Sequence, residues 1–65
     1  MDLNIETNKW YSKKELKQII QSEYNEKNIQ STAKASDIKL LYNVVEKQTR
    51  INGVQTFGYY IIDKL

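Results

Sequence analysis

Asn52-Gly53 constrains this chain more than any other pair of residues. Both central positions of a type I′ turn need positive φ, and Asn-Gly tolerates that best. The pair predicts a β-hairpin over residues 44–62. Ile51 then faces Val54, and the pairing runs on as 50–55, 49–56, 48–57 and 47–58. Strand alternation puts Val44, Glu46, Gln48, Arg50, Gln55, Phe57, Tyr59 and Ile61 on one face. Val45, Lys47, Thr49, Ile51, Val54, Thr56, Tyr60 and Ile62 take the other. Neither face is purely apolar, so the pattern leaves open which one meets a core. Gly58 is expected to mark a bulge that switches the phase. The hairpin base is apolar and its outer half polar, so the tip is expected in solvent.

Ahead of the hairpin lie two helical patterns. Residues 12–27 open with Ser12-Lys13-Lys14-Glu15, a capping box, and Tyr11 and Leu16 are spaced as a hydrophobic staple. Leu16, Ile19, Ile20 and Tyr24 then share one helical face. Asn25 or Asn28 is suited to the left-handed residue that ends such a helix. Residues 36–43 predict a second, shorter helix with Ser36 as N-cap and Asp37 complementing the dipole. Its stripe is Ile38, Leu41, Tyr42 and Val45, and Ala35 extends it backwards. Residues 29–35 fit either an extended link or a first helical turn, with Ile29 buried.

The fold class expected is therefore α+β: two helices followed by an antiparallel β-hairpin. Residues 10–65 form a single domain behind a polar leader, 1–9, where Leu3 and Ile5 fit a short extra N-terminal strand. At 65 residues the domain is small, and one of this size buries only about 60% of its unfolded surface. With no cysteine and no histidine, neither a disulfide nor a Cys/His zinc site can staple it. The longest apolar run, Tyr59 to Ile62, is far short of the ~20 residues that span a bilayer. A cytoplasmic protein is expected.

Catalysis has little to stand on. There is no thiol nucleophile, no histidine base and no phosphate loop, and the carboxylates are scattered without a partner base. The expectation is a protein that is not an enzyme and takes no cofactor, metal or small-molecule substrate.

The charge is more informative. The net charge is +2, unevenly spread. Lys9, Lys13, Lys14 and Lys17 against Glu15 make residues 8–17 locally +3, and residues 32–50 are locally +2. The candidate nucleic-acid contacts are Lys34 just before the second helix, Lys39 and Asn43 of that helix, Lys47, Gln48 and Arg50 of the hairpin, and Lys13, Lys14 and Lys17 of the first helix. Cations pair with phosphate, and amides bond bases or phosphates. Four to six phosphate contacts would give a log–log salt slope of about −4 to −5. The competing readings are bland ones. The lysines of the first helix fit a solvated face, and Lys47 and Arg50 fit protection of an edge strand. Trp10, Phe57, Tyr59 and Tyr60 fit core or core rim better than base-stacking platforms.

Helix, short helix, then hairpin with a polar tip resembles a trimmed winged-helix domain. That family implies a helix in the DNA major groove and a β-hairpin wing on the backbone. A full winged helix has three helices, and two are read here. The stretches Thr32-Ala33-Lys34-Ala35-Ser36-Asp37-Ile38-Lys39, Lys47-Gln48-Thr49-Arg50-Ile51-Asn52-Gly53 and Gly58-Tyr59-Tyr60-Ile61-Ile62 also resemble small domains that trail primase–helicase proteins of phages, plasmids and other mobile elements. The resemblance covers roughly residues 11–62 and implies binding to nucleic acid, DNA in the first place, or docking to a replication protein. The rival reading is a protein-interaction module, a phage-type adaptor or inhibitor. It would act through an exposed hairpin edge or an apolar patch around Trp10, Tyr11 and Leu40, self-association included.

Overall fold

Ser12 ends a strand and starts a helix in one step. Its backbone is extended (φ −68°, ψ 156°), and its Oγ accepts the Glu15 amide at 3.1 Å. This is the junction in a computed structural model, which describes residues 3–65. Strand β1, Lys9–Ser12, leads into helix α1, Lys13–Glu26. The staple residues Tyr11 and Leu16 are both buried. The helix ends as expected of an asparagine stop, with Asn28 at φ 58°.

The long hairpin follows, β2 over Tyr42–Ile51 and β3 over Val54–Lys64. Asn52 (φ 51°) and Gly53 (φ 79°) make the turn, and the pairing from 51–54 to 47–58 is the predicted one. Strand β1 pairs antiparallel with β3, so the sheet order is β1-β3-β2 with β3 in the centre. The architecture is α+β, one helix against a three-stranded antiparallel sheet.

Four expectations are corrected. The second helix over 36–43 is a 3-10 helix, Ala35–Leu40, and Asn43 belongs to β2. Its stripe fits two periods at once: Ile38, Leu41, Tyr42 and Val45 are helical in spacing, but Tyr42 and Val44 are two apart. Pairing with β3 decides it. Tyr42 is buried and Val44 half-buried on the inner sheet face, and Leu41 closes the turn with an i, i+3 bond to Ile38. The extra strand lies at 9–12, after the leader rather than at Leu3 and Ile5. Leu3 is nonetheless buried in the core. Ile29, expected inside, is exposed just past α1, where its amide donates to the Tyr24 carbonyl at 2.8 Å.

The last correction concerns Gly58. The register shift falls between Asn43 and Val44, where Val44 faces Ile61, Asn43 faces Asp63, and Ile62 is passed over. Gly58 itself pairs regularly with Ser12 and Lys47. A Cβ there would meet the Tyr11 carbonyl oxygen at 2.3 Å and the Trp10 ring at 2.5 Å. The glycine is needed because an indole lies across its backbone, the arrangement by which aromatics cover sheet glycines.

The core fills the space between α1, the 3-10 helix and one face of the sheet. Leu16, Ile20, Ile38, Tyr42, Tyr59 and Ile61 are its main side chains. Leu16, Ile38 and Ile61 are fully enclosed, each contributing about 1.5–3 kcal/mol by burial. The link between the helices is tied down by Gln21, whose Oε1 accepts the Ala33 amide at 3.0 Å and whose Nε2 donates to the Ser31 carbonyl at 3.3 Å. The hairpin outruns this core. The molecule is 37 Å long, and the sheet face beyond Tyr59 carries Phe57, Gln55, Gln48 and Arg50 uncovered.

Candidate nucleic-acid interface

The register settles which hairpin side chains share a face. Residues 44, 46, 48 and 50 of β2 and 55, 57, 59 and 61 of β3 lie on the helix side of the sheet. Lys47 lies on the opposite side, where its ammonium stands 5.9 Å from the Tyr60 ring centroid. Lys47 and Arg50 therefore do not act on one surface.

On the helix side, cations from two other elements converge. Lys13, at the start of α1, places Nζ 5.8 Å from the Tyr59 ring and 5.4 Å from that of Phe57. Lys39, near the end of the 3-10 helix, places Nζ 5.5 Å from the same Tyr59 ring. An aromatic face attracts a cation at this range. The α1 cap fixes the backbone at Lys13, and the buried Ile38 fixes the turn that carries Lys39.

Phe57 extends the cluster outward and is 50% exposed. Its cross-strand partner is Gln48, whose side-chain carbonyl accepts from the Gln55 amide nitrogen. Arg50 follows on the same face, exposed and without an ion-pair partner among the described residues. Glu46 is the one acid in the group, and it pairs with Lys13 at 3.1 Å. Lys17 lies one turn along α1 from Lys13, on the same flank and exposed. The helix side thus carries four cations, Lys13, Lys17, Lys39 and Arg50, and one carboxylate, which Lys13 pairs.

The other candidates lie elsewhere. Asn43 sits at the hairpin base and donates to Asp63 at 2.6 Å. Lys14 is exposed on the outer side of α1. Lys34 precedes the 3-10 helix, where its backbone amide donates to the Asp37 carboxylate at 3.1 Å. That carboxylate also accepts the Tyr24 hydroxyl at 3.1 Å. Desolvation of the half-buried phenol, reinforced by the Asp37 hydrogen bond and charge, pushes the Tyr24 pKa above its ordinary value.

The two flanks of α1 differ in charge. The flank with Lys13 and Lys17 continues to Gln21 and Tyr24, which meet the 31–37 segment. The opposite flank borders a groove under the leader, lined by Glu6, Glu15, Glu23 and Glu26 beside Lys9 and Tyr11. Sequence reading names the cations and expects Phe57 and Tyr59 in the core or at its rim. Tyr59 is indeed buried, while Phe57 is not. The signal that separates them is distance from the turn: Phe57 lies two residues nearer to it, beyond the buried α1 side chains Leu16 and Ile20 and beside the Lys13 ammonium.

Among the described residues, no group of three or more His, Cys, Asp or Glu is placed to hold a metal ion. No helix among the described residues is long and apolar enough to cross a membrane. Compared with known proteins, the chain matches no family model, no curated sequence and no solved structure.

Proposed function

We propose that this chain is a small DNA-binding domain that takes single-stranded DNA on the helix side of its hairpin. The observation that carries the reading is the Lys13 and Lys39 ammonium groups gathered around Tyr59 next to the half-exposed ring of Phe57. Single-strand binders combine an aromatic platform for bases with cations that track the backbone. Phe57 offers the platform, Lys13, Lys39, Lys17 and Arg50 the cations, and Gln48 and Gln55 supply amide donors and acceptors.

The hairpin is the wing of the winged-helix comparison, but the contact runs over its face. A 3-10 helix of six residues is too short to act as a recognition helix in a major groove. Lys47, on the far side, takes no part. The carboxylates of Glu6, Glu15 and Glu26 in the groove on the other flank of α1 disfavour phosphate there. The setting suggested by the resemblance is the replication or regulation of a mobile element, in the cytoplasm.

Fluorescence anisotropy with single- and double-stranded oligonucleotides at two salt concentrations tests the reading. With three or four phosphates neutralised, the single-strand log–log slope is expected at roughly −2 to −3. No binding to either form at low salt refutes the proposal, and a preference for duplex refutes the stacking role of Phe57.

A further inference from the structure

Strand β2 is an edge, because β3 takes the centre of the sheet. In a hairpin closed by a two-residue turn, residues next to the turn exchange both backbone bonds, and the pattern then alternates. Ile51, Thr49, Lys47 and Val45 therefore spend their amides and carbonyls on β3. The backbone groups of Glu46, Gln48 and Arg50 point outward, with nothing beside them among the described residues. Proteins blunt such edges with proline, short strands, bulges or charged side chains, and of these β2 has the charges of Glu46, Lys47 and Arg50. Here the strand has ten residues and no proline, and its only register shift is at its beginning, Asn43/Val44.

We propose that the outer edge of β2 pairs antiparallel with the same strand of a second copy, about a twofold axis at Gln48. The charges along the strand select both the occupant and the register. A twofold centred on Glu46 opposes two glutamates, one on Lys47 two lysines, and one on Arg50 two arginines; like charges directly opposite destabilise a sheet. Centring on Thr49 leaves Glu46 and Arg50 without counter-charges. Centring on Gln48 sets Glu46 opposite Arg50 of the second copy, twice, on the helix side. On the other side it sets Val45 opposite Ile51, also twice, and these aliphatics are 51% and 42% exposed in the single chain. The outward-pointing residues are then the ones that exchange backbone bonds, as an antiparallel ladder requires. Glu46 keeps Lys13 on one oxygen and offers the other to the arginine. The twofold runs perpendicular to the sheet, so two three-stranded sheets join into one with both α1 helices on the same side.

The chain has no cysteine, so a single engineered one reports this geometry without interference. In the Gln48→Cys variant the two Cα atoms would lie about 5.5 Å apart across the axis, the spacing of a hydrogen-bonded antiparallel pair, and disulfides span ~4.4–6.8 Å. Under mild oxidation, without nucleic acid, Gln48→Cys is expected to form a covalent dimer much faster than Lys14→Cys on the helix surface. Sedimentation equilibrium provides the second arm. The unmodified chain is expected to associate reversibly, Arg50→Glu to weaken association at least tenfold, and Glu46→Lys with Arg50→Glu to restore it. Circular dichroism of each variant confirms that the monomer is folded. A chain that stays monomeric to millimolar concentration, equal cross-linking of the two cysteine variants, or no rescue by the charge swap overturns the proposal. None of these readings depends on DNA.

Discussion

The Trp10 indole Nε1 donates to the Lys47 backbone carbonyl at 3.0 Å, reaching from one edge strand to the other over Gly58 of the central strand. The bond locks the short β1 to the hairpin, and only glycine leaves room beneath it. Gly58→Ala is therefore expected to be severe. Its Cβ would sit 2.3 Å from the Tyr11 carbonyl oxygen, and backbone cannot swing aside as a side-chain tip does. Overpacking of this kind costs about 1–3 kcal/mol and occasionally more. A domain of this size holds only about 3–10 kcal/mol in total. Urea unfolding followed by tryptophan fluorescence reads the loss, and a melting curve unchanged by the substitution contradicts this account of Gly58.

Gly53→Ala makes the contrasting case. Nothing lies within 4 Å of a Cβ at Gly53, so the cost there is purely conformational, set by its φ of 79°. Holding an L-residue in that region costs about 1–2 kcal/mol. The substitution is expected to be milder than Gly58→Ala and to lower the midpoint without changing the urea m-value. Asn52→Gly, at φ 51°, should be close to neutral. If Gly53→Ala proves worse than Gly58→Ala, the sterics assigned to these two positions are reversed.

These positions also show what could be read from the chain. Turn, register and the two hairpin faces follow from Asn52-Gly53 because the backbone demand of a type I′ turn is local. The α1 start follows from Ser12 for the same reason. The 35–45 segment was illegible because its apolar spacing fits a helix and a strand alike, and the choice rests on pairing with distant β3 residues. The constraint on Gly58 comes from Trp10, 48 positions away in sequence, and so leaves no local signal. The candidate site divides likewise. Its cations are visible as composition, but whether Lys47 joins Arg50 depends on strand parity. That Lys13 and Lys39 meet at Tyr59 depends on how the helices lie on the sheet.

The Tyr24–Asp37 contact is expected to make the fold less stable at alkaline pH. The Tyr24 phenol is harder to ionise in the folded chain than at its ordinary value near 10, chiefly through desolvation and then through Asp37. A group whose folded pKa is raised contributes stability below its unfolded pKa and loses it as pH rises through the folded value. Stability is expected to fall above about pH 10. Tyr24→Phe should flatten that decline while lowering stability at neutral pH, since Asp37 then loses one hydrogen-bond donor. Thermal melts across the alkaline range decide it, and an unchanged slope in Tyr24→Phe removes this residue from the explanation.

Lys39→Ala, Lys47→Ala and Phe57→Ala separate the parts of the proposed DNA surface. Lys39 and Lys47 are both exposed lysines with a ring within cation–π distance, and they differ in the side of the sheet they occupy. A nonspecific charge effect would weaken binding equally in both. Binding on the helix side predicts that Lys39→Ala lowers affinity and reduces the salt slope by about 0.7, while Lys47→Ala does neither. Phe57→Ala should cost single-strand affinity about 1–3 kcal/mol, the contribution of one stacked base. It should hardly alter the melting temperature, because half of the ring is already in solvent. Anisotropy titrations of the three variants under matched salt distinguish these outcomes. Equal losses from Lys39→Ala and Lys47→Ala would leave only a generic attraction between a basic protein and a polyanion.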